Sequence, residues 1–299
     1  MWPVGHPEAS FPCFVCGGNR QKSFFSAAGG EFWRCRACGV VRMHPLPQPA
    51  GPGEDYQGFD LTTYRKFMEK FRIPQYERDI ASMRRCGASG RLLDIGCGMG
   101  EFLDVAARHG FSVTGIEPSP TASEIAARRH IVLRGEFLDL DLGDRRFDTV
   151  TLWSVLEHVH SPADVLTRIG ALTERGGVLA LRVPDVRGIL PGLARAIHKV
   201  TFGRVSDPLR VLYQLDWHYK HFTGFDRRTL ARAVENAGFT VLSFRRENSF
   251  TWSSLGLRMD YIPLGRGIAG VIIKAGLGFV GLAARLIGRE DELVCIARK

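Results

Sequence analysis

The sequence predicts an α/β fold, a doubly wound and largely parallel sheet preceded by a small cysteine-bound module. From residue 91 onward, short apolar runs alternate with helix-like segments, the pattern of strands joined by crossover helices. The first run ends in a glycine-rich turn, LLDIGCGMGEF over 92–102. Ahead of it, four of the seven cysteines fall into two CxxC pairs.

The pairs come first in the chain. CFVCGG and RCRACG place Cys13 and Cys16 ahead of Cys35 and Cys38 with 18 residues between the pairs, a four-cysteine zinc spacing. Each CxxC lets two thiolates of one tight turn face the same ion. With all four positions filled by sulfur no site stays open for water, so the expected metal is a structural zinc. This predicts a zinc-ribbon module over 1–45, and the Pro/Gly-rich stretch that follows reads as a linker over 46–63. The remaining thiols, Cys86, Cys97 and Cys295, read as core residues.

The rest, 64–299, is expected to be one domain. Its strands should begin at Leu92, Ser112, Ile131, Asp148, Val178, Thr240 and Leu293, with helices over 101–109, 121–129, 163–173 and 228–237. Asp226 reads as an N-cap and Gly238 as a helix stop. At 299 residues and 45% hydrophobic, the chain can bury one large core with something appended. Its first ten residues lack a basic start followed by an apolar run, so the expected address is the cytoplasm, where cysteines stay reduced. The net charge of +9 is uneven: from Arg187 to the end there are 18 Lys/Arg against 9 Asp/Glu. That excess points to an anionic partner, a lipid surface or a nucleic acid, or else to a solvated basic face.

A sheet of this kind binds ligands at the carboxyl ends of its strands, where the glycine turn lies. The spacing is GxGxG (Gly96, Gly98, Gly100), not the GxGxxG that seats a dinucleotide pyrophosphate. Glu117, ending the second strand 21 residues beyond Gly96, can accept from both ribose hydroxyls. Glu136, expected to end the third strand, could accept from an adenine amino group.

With LDIGCGMGEF, GIEPS, RGEF, FDTVTLWSVLEHVHSP and ERGGVLALRVPD in order, the chain resembles the class I S-adenosylmethionine-dependent methyltransferases, of the methyltransferase-23 kind, from about residue 92 to the end. The resemblance implies a seven-stranded Rossmann-like sheet and S-adenosylmethionine as cofactor, ahead of NAD. It further implies that Asp94 orients the loop, that Gly96 and Gly98 let the backbone approach the cofactor, and that Glu117 holds the ribose. Glu136 and Phe137 would frame the adenine, and Trp153 and Ser154 would lie beside the methionine.

Methyl transfer from a sulfonium needs alignment, and a base only when the acceptor must lose a proton. Candidate bases stand in LEHVH, with Glu157, His158 and His160, and in WHYKHF, with His218 and His221; a histidine suits deprotonation of a hydroxyl. In quinone and catechol-type members of the superfamily a similar Leu-Glu-His segment lies by the acceptor, sometimes with a metal, which puts His158 first.

Two insertions remain. The first, 187–215, follows the fifth strand, where related enzymes often carry a lid; the second, 262–289, is amphipathic, with Ile268, Ile272, Ala275, Phe279, Leu282 and Leu286 on one side and Arg266, Lys274 and Arg285 on the other. Lys274 near its middle disfavours a membrane span. Both suggest a surface that rests on anionic membrane, or else a lid packed on the sheet. The sequence reading is a methyltransferase acting on a hydroxyl-bearing acceptor, a saccharide or lipid-linked glycan. Its rivals are a ribosomal RNA base methyltransferase, disfavoured because aliphatic and not aromatic residues interleave the basic ones, and a non-catalytic cofactor-binding protein.

Overall fold

A computed structural model of the chain describes residues 8–48, 61–216, 219–248 and 267–299. Seven strands form the main sheet: β5 (Arg91–Ile95), β6 (Ser112–Glu117), β7 (Ile131–Arg134), β8 (Phe147–Trp153), β9 (Thr173–Pro184), β11 (Thr240–Glu247) and β12 (Glu292–Arg298). Their order is β11-β12-β9-β8-β5-β6-β7. Neighbours are parallel from β9 to β7, and β12 runs antiparallel to both β9 and β11. The α/β class is the predicted one, and the strand starts lie at the predicted residues or one away except for β9. That strand begins at Thr173, directly after its helix, and not at Val178. Central β8 and β9 are covered on both faces, so β8 is buried from Thr149 to Trp153 and β9 from Gly177 to Val183, polar side chains included.

Helices α3 (Glu101–Arg108), α4 (Pro120–Ala127), α5 (Pro162–Leu172) and α8 (Arg227–Asn236) occupy the predicted segments. Asp226 Oδ1 accepts from the Thr229 amide and the Thr229 hydroxyl accepts from the Asp226 amide, a reciprocal cap. One face of the sheet packs Leu93, Val150 and Leu181 against Leu166, Ile169, Leu230 and Val234. On the other, Leu92, Val178 and Ile296 meet Phe102, Val105, Ile80 and Met83. The last two belong to α2 (Ile73–Arg85), which with α1 (Leu61–Phe67) and an intervening π turn precedes the sheet; the sequence reading did not find these helices.

The cysteine segment packs on the main sheet, and most of the expected linker, 49–60, lies outside the described residues. Strands β1 (Glu8–Ser10), β2 (Arg20–Ala27), β3 (Gly30–Cys35) and β4 (Val41–Met43) are completed by β10 (Thr223–Gly224), far along the chain. Cys13, Val15, Cys35 and Val40 share the core of the main sheet, and Asn236 Nδ2 donates to Val15 O at 2.7 Å.

The 187–215 insertion folds as α6 (Ile189–Val200) and α7 (Asp207–Leu212). Its Ala194, Leu209, Tyr213 and Leu215 pack on Phe25, Phe32, Val41 and Met43 of the small sheet, so its apolar side serves first as cover for that sheet. The second insertion contains α9 (Gly267–Leu286). There Ala284 is buried, while Phe279, Leu282 and Leu286 are exposed, so the described part of the predicted apolar stripe faces outward. Among the described residues no helix is long and apolar enough to cross a membrane.

Candidate active site

Three loops meet at the carboxyl edge of the parallel strands. The loop after β5 carries Gly96, Gly98 and Gly100, all with positive φ. At Gly96 the need is doubled: φ is +72° and a Cβ would lie 2.5 Å from Val155 Cγ2, in the loop after β8. Gly96 and Cys97 both donate to Ile116 O, and the Gly98 amide donates to Glu117 Oε2 at 2.8 Å. Glu117 Oε1 accepts from the Ser119 amide at 3.0 Å. The loop conformation and the acid at the end of β6 therefore hold each other.

Asp94, at the end of β5, is 1% exposed and accepts from Thr151 Oγ1 at 2.7 Å. Burial pushes its carboxyl up to about 8, against the hydrogen bond from Thr151. Thr151 stands beside Asp94 in strand register, a partnership that sequence distance hides.

Glu136 lies two residues past β7, and not at its end, because Gly135, at φ +148°, turns the chain out of the strand. Phe137 is buried in the main core with the Arg168 guanidinium 4.9 Å over its ring, so it is packed where an adenine-framing residue would need an open face. Trp153 likewise packs in the core against Phe102 and Tyr76. Ser154 has φ +59°, a strained value for a β-substituted residue and one that clusters at functional sites.

That strain sits on a buried ionic cluster the sequence reading missed. Arg182, 1% exposed, donates to Asp79 Oδ2 at 2.7 Å and Glu247 Oε2 at 3.1 Å. Its guanidinium lies 5.3 Å over the Trp153 ring and its carbonyl accepts from the Ser154 amide. No single segment announces the cluster, because its members lie on α2, β9 and β11.

After β8 the chain turns through Glu157 and His158, which meet His221 from the segment before β10. Their ligand atoms lie within 4.8 Å of one another, so the trio could hold a divalent cation as well as move a proton. Burial lowers His158 to about 4 and holds His221 well below the usual imidazole range, while it raises Glu157 to about 8. The imidazoles are thus neutral beside a protonated carboxyl at neutral pH, and the 3.8 Å between His158 Nε2 and Glu157 Oε1 is a contact without an ion pair. His158 Nδ1 lies 3.0 Å from Lys220 O, so Nδ1 carries the hydrogen and Nε2 keeps its lone pair toward the site. Both oxygens of Glu157 are buried and lack hydrogen-bond partners among the described residues. His160 turns away to Pro47 O, and His218 lies outside the described residues.

Residues 65–244 match a family described as a methyltransferase domain. The chain belongs to the methyltransferase domain family. The ubiquinone biosynthesis O-methyltransferase of Schizosaccharomyces pombe is 37% identical over 108 residues, 33% of this chain and 39% of that protein. The protein of the same name from Alkalilimnicola ehrlichii is 38% identical over 98 residues, 29% and 38% of the two chains. The match thus spans about two fifths of these curated relatives. Among solved structures, a mycolic acid cyclopropane synthase complexed with SAH and CTAB aligns at TM-score 0.56 and 17% identity, over 78% of this chain and 85% of that one. A geranyl diphosphate C-methyltransferase from Streptomyces coelicolor aligns at 0.54 and 14%, over 77% and 80%. At these identities the structures share the fold.

The chain also gathers its four N-terminal cysteines. Cys13 and Cys38 Sγ are 3.5 Å apart and Cys16 and Cys35 Sγ 3.6 Å, near the edge of about 3.8 Å expected of a tetrahedron with ~2.3 Å zinc–sulfur bonds. A hydrogen bond from Cys38 draws the Cys13 thiol down to about 5, while the thiols of Cys16 and Cys38 are pushed up, so the cluster favours one thiolate, at Cys13. An open cleft of about 410 Å³ lies between α8 and β11. Two of its arginines are spoken for, Arg187 by Asp226 and Arg246 by Asp185, and it contains none of the glycine loop.

Proposed function

We propose that this methyltransferase transfers the methyl group to a hydroxyl of a small acceptor, with His158 taking the hydroxyl proton. The observation that carries this reading is the buried trio of Glu157, His158 and His221 at the carboxyl end of β8. S-adenosylmethionine supplies a methyl carbon already activated on a sulfonium. The chain's part is to seat it on the loop of Asp94, Gly96, Gly98 and Gly100, with Glu117 on the ribose, Glu136 toward the adenine and Ser154 toward the methionine. These loops would align the acceptor oxygen with that carbon for in-line displacement of the thioether, and Nε2 of His158 would receive the hydroxyl proton.

The histidine's environment favours one acceptor class. A base lowered to about 4 matches a phenol, with a pKa near 10, better than an aliphatic sugar hydroxyl, which is far less acidic. The names of the matched relatives support a hydroxyl acceptor and offer nothing for the saccharide or lipid-linked glycan expected from the sequence. We also take the four cysteines to hold a structural zinc, and the outward apolar stripe of α9, with Arg285 beside it, to rest on an anionic membrane surface.

Labelled-methyl transfer tests the acceptor, with 3,4-dihydroxybenzoate, a methyl glucoside, and total lipid, glycan and RNA fractions in parallel. Label on the catechol, lost in His158→Ala, supports the reading; label on sugar or glycan restores the saccharide class. Label confined to RNA overturns both.

A further inference from the structure

Arg42 lies on β4, four residues after the second cysteine pair, and no reading of the site has so far given it a role. Its guanidinium is 5.2 Å over the ring of Phe14, the residue enclosed by the first pair, Cys13 and Cys16. The same guanidinium donates through Nη2 to the carbonyl of His160 at 2.8 Å, across 118 positions of sequence. One side chain thus joins the cysteine knuckle to the loop that carries Glu157 and His158.

Its backbone joins the other half of the trio. Arg42 pairs with Thr223 in the antiparallel register of β4 and β10, and Val41 with Gly224. The Met43 amide donates to Phe222 O at 2.8 Å. On the opposite side of that short strand, the Phe222 and Thr223 amides both donate to Glu157 O, at 2.8 and 3.1 Å. His221 immediately precedes these residues and Lys220 O receives His158 Nδ1. The segment 220–224 is therefore held on one side by β4 and on the other by the Glu157–His158 turn. β4 is itself fixed by the second knuckle, where the Cys35 amide donates to Val40 O at 2.9 Å.

We propose that Arg42 is a positioning residue for methyl transfer, and that the four-cysteine module is a wall of the acceptor site which sets the spacing of His158, His221 and Glu157. This rests on the acid–base reading of that trio. The cofactor loop should feel Arg42 little, because the hydrogen bonds of Asp94 with Thr151, of Gly96 with Ile116, and of Gly98 and Ser119 with Glu117 lie among β5, β6, β8 and the loops that follow β5 and β6. The proposal therefore separates acceptor-side chemistry from cofactor binding. A planar fork over an aromatic ring is geometry that lysine reproduces only in part.

The test compares full-length wild type, Arg42→Met, Arg42→Lys and His158→Ala. Three readouts are used: the rate with 3,4-dihydroxybenzoate, S-adenosylmethionine affinity by calorimetry, and the imidazole carbon–proton resonances of His158 and His221. In Arg42→Met the rate is expected to fall about tenfold to a hundredfold, with cofactor affinity within about twofold and both imidazole resonances displaced. Arg42→Lys is expected to lie between, and it carries the test if Arg42→Met does not fold. Unmoved imidazole resonances together with a wild-type rate overturn the proposal. The acid–base reading fails separately: a His158→Ala enzyme as fast as wild type removes that reading, while the resonances still decide whether Arg42 sets the geometry.

Discussion

The amide of Gly98 donates to Glu117 Oε2 at 2.8 Å, so the acid that ends β6 also fixes the middle glycine of the loop that ends β5. With the proposed role of Glu117 at the ribose, cofactor recognition and loop shape share one carboxylate. Glu117→Ala is expected to weaken S-adenosylmethionine binding by about 2 kcal/mol or more, since hydrogen bonds to a charged group are lost on the loop and the ribose side together. Titration calorimetry measures it; undiminished affinity would place the ribose elsewhere.

Asp94 is held protonated by burial, with a pKa near 8 against 3.8 in the unfolded chain. Between those values the native state binds more protons than the unfolded one, so this group makes stability fall as pH rises from about 4 to about 8. Asp94→Asn is expected to flatten that part of the stability–pH curve in urea titrations. A cationic cofactor beside Asp94 would favour the carboxylate, so binding at pH 7 should release a proton, seen as a dependence of binding heat on buffer ionisation enthalpy that vanishes in Asp94→Asn.

At Gly96 a methyl group meets Val155 while φ stays at +72°. Gly96→Ala is expected to destabilise by about 2–4 kcal/mol, from left-handed strain and overpacking together. Adding Val155→Ala should recover the packing part and leave the strain, so the double variant unfolds between Gly96→Ala and wild type. A double variant no more stable than the single one would remove the steric account.

The four sulfurs are expected to hold one zinc per chain, counted by atomic absorption, with none in Cys13→Ala/Cys38→Ala. Because the cysteines share a core with the main sheet, stripping the metal with a strong chelator should lower the melting temperature of the whole chain, not of a separate small transition. Two independent transitions would mean the module is autonomous.

Phe279 and Leu286 are 72% and 78% exposed on α9. Sedimentation with phosphatidylglycerol vesicles should be strong at low salt and reduced in Phe279→Ser/Leu286→Ser. Equal sedimentation of the variant leaves the stripe without that role.

Much of the fold was written locally. Apolar runs of strand length, a left-handed glycine turn, and an Asp226–Thr229 cap are instructions that a few adjacent residues carry, because backbone sterics and capping act over one turn. The cysteine spacing and the order of motifs after β5 were legible for the same reason, and with them the cofactor class. What the tertiary structure decided was every partnership across strands. Thr151 beside Asp94, Arg182 beneath Ser154, and Arg42 against His160 join residues 57, 28 and 118 positions apart, and burial is the main cause that raises the carboxyls of Asp94 and Glu157 to about 8 and lowers His158 to about 4. Sequence specifies which side chains exist and which way a strand or helix presents them. Solvent exclusion and register, which set their chemistry, exist only once the chain has closed on itself.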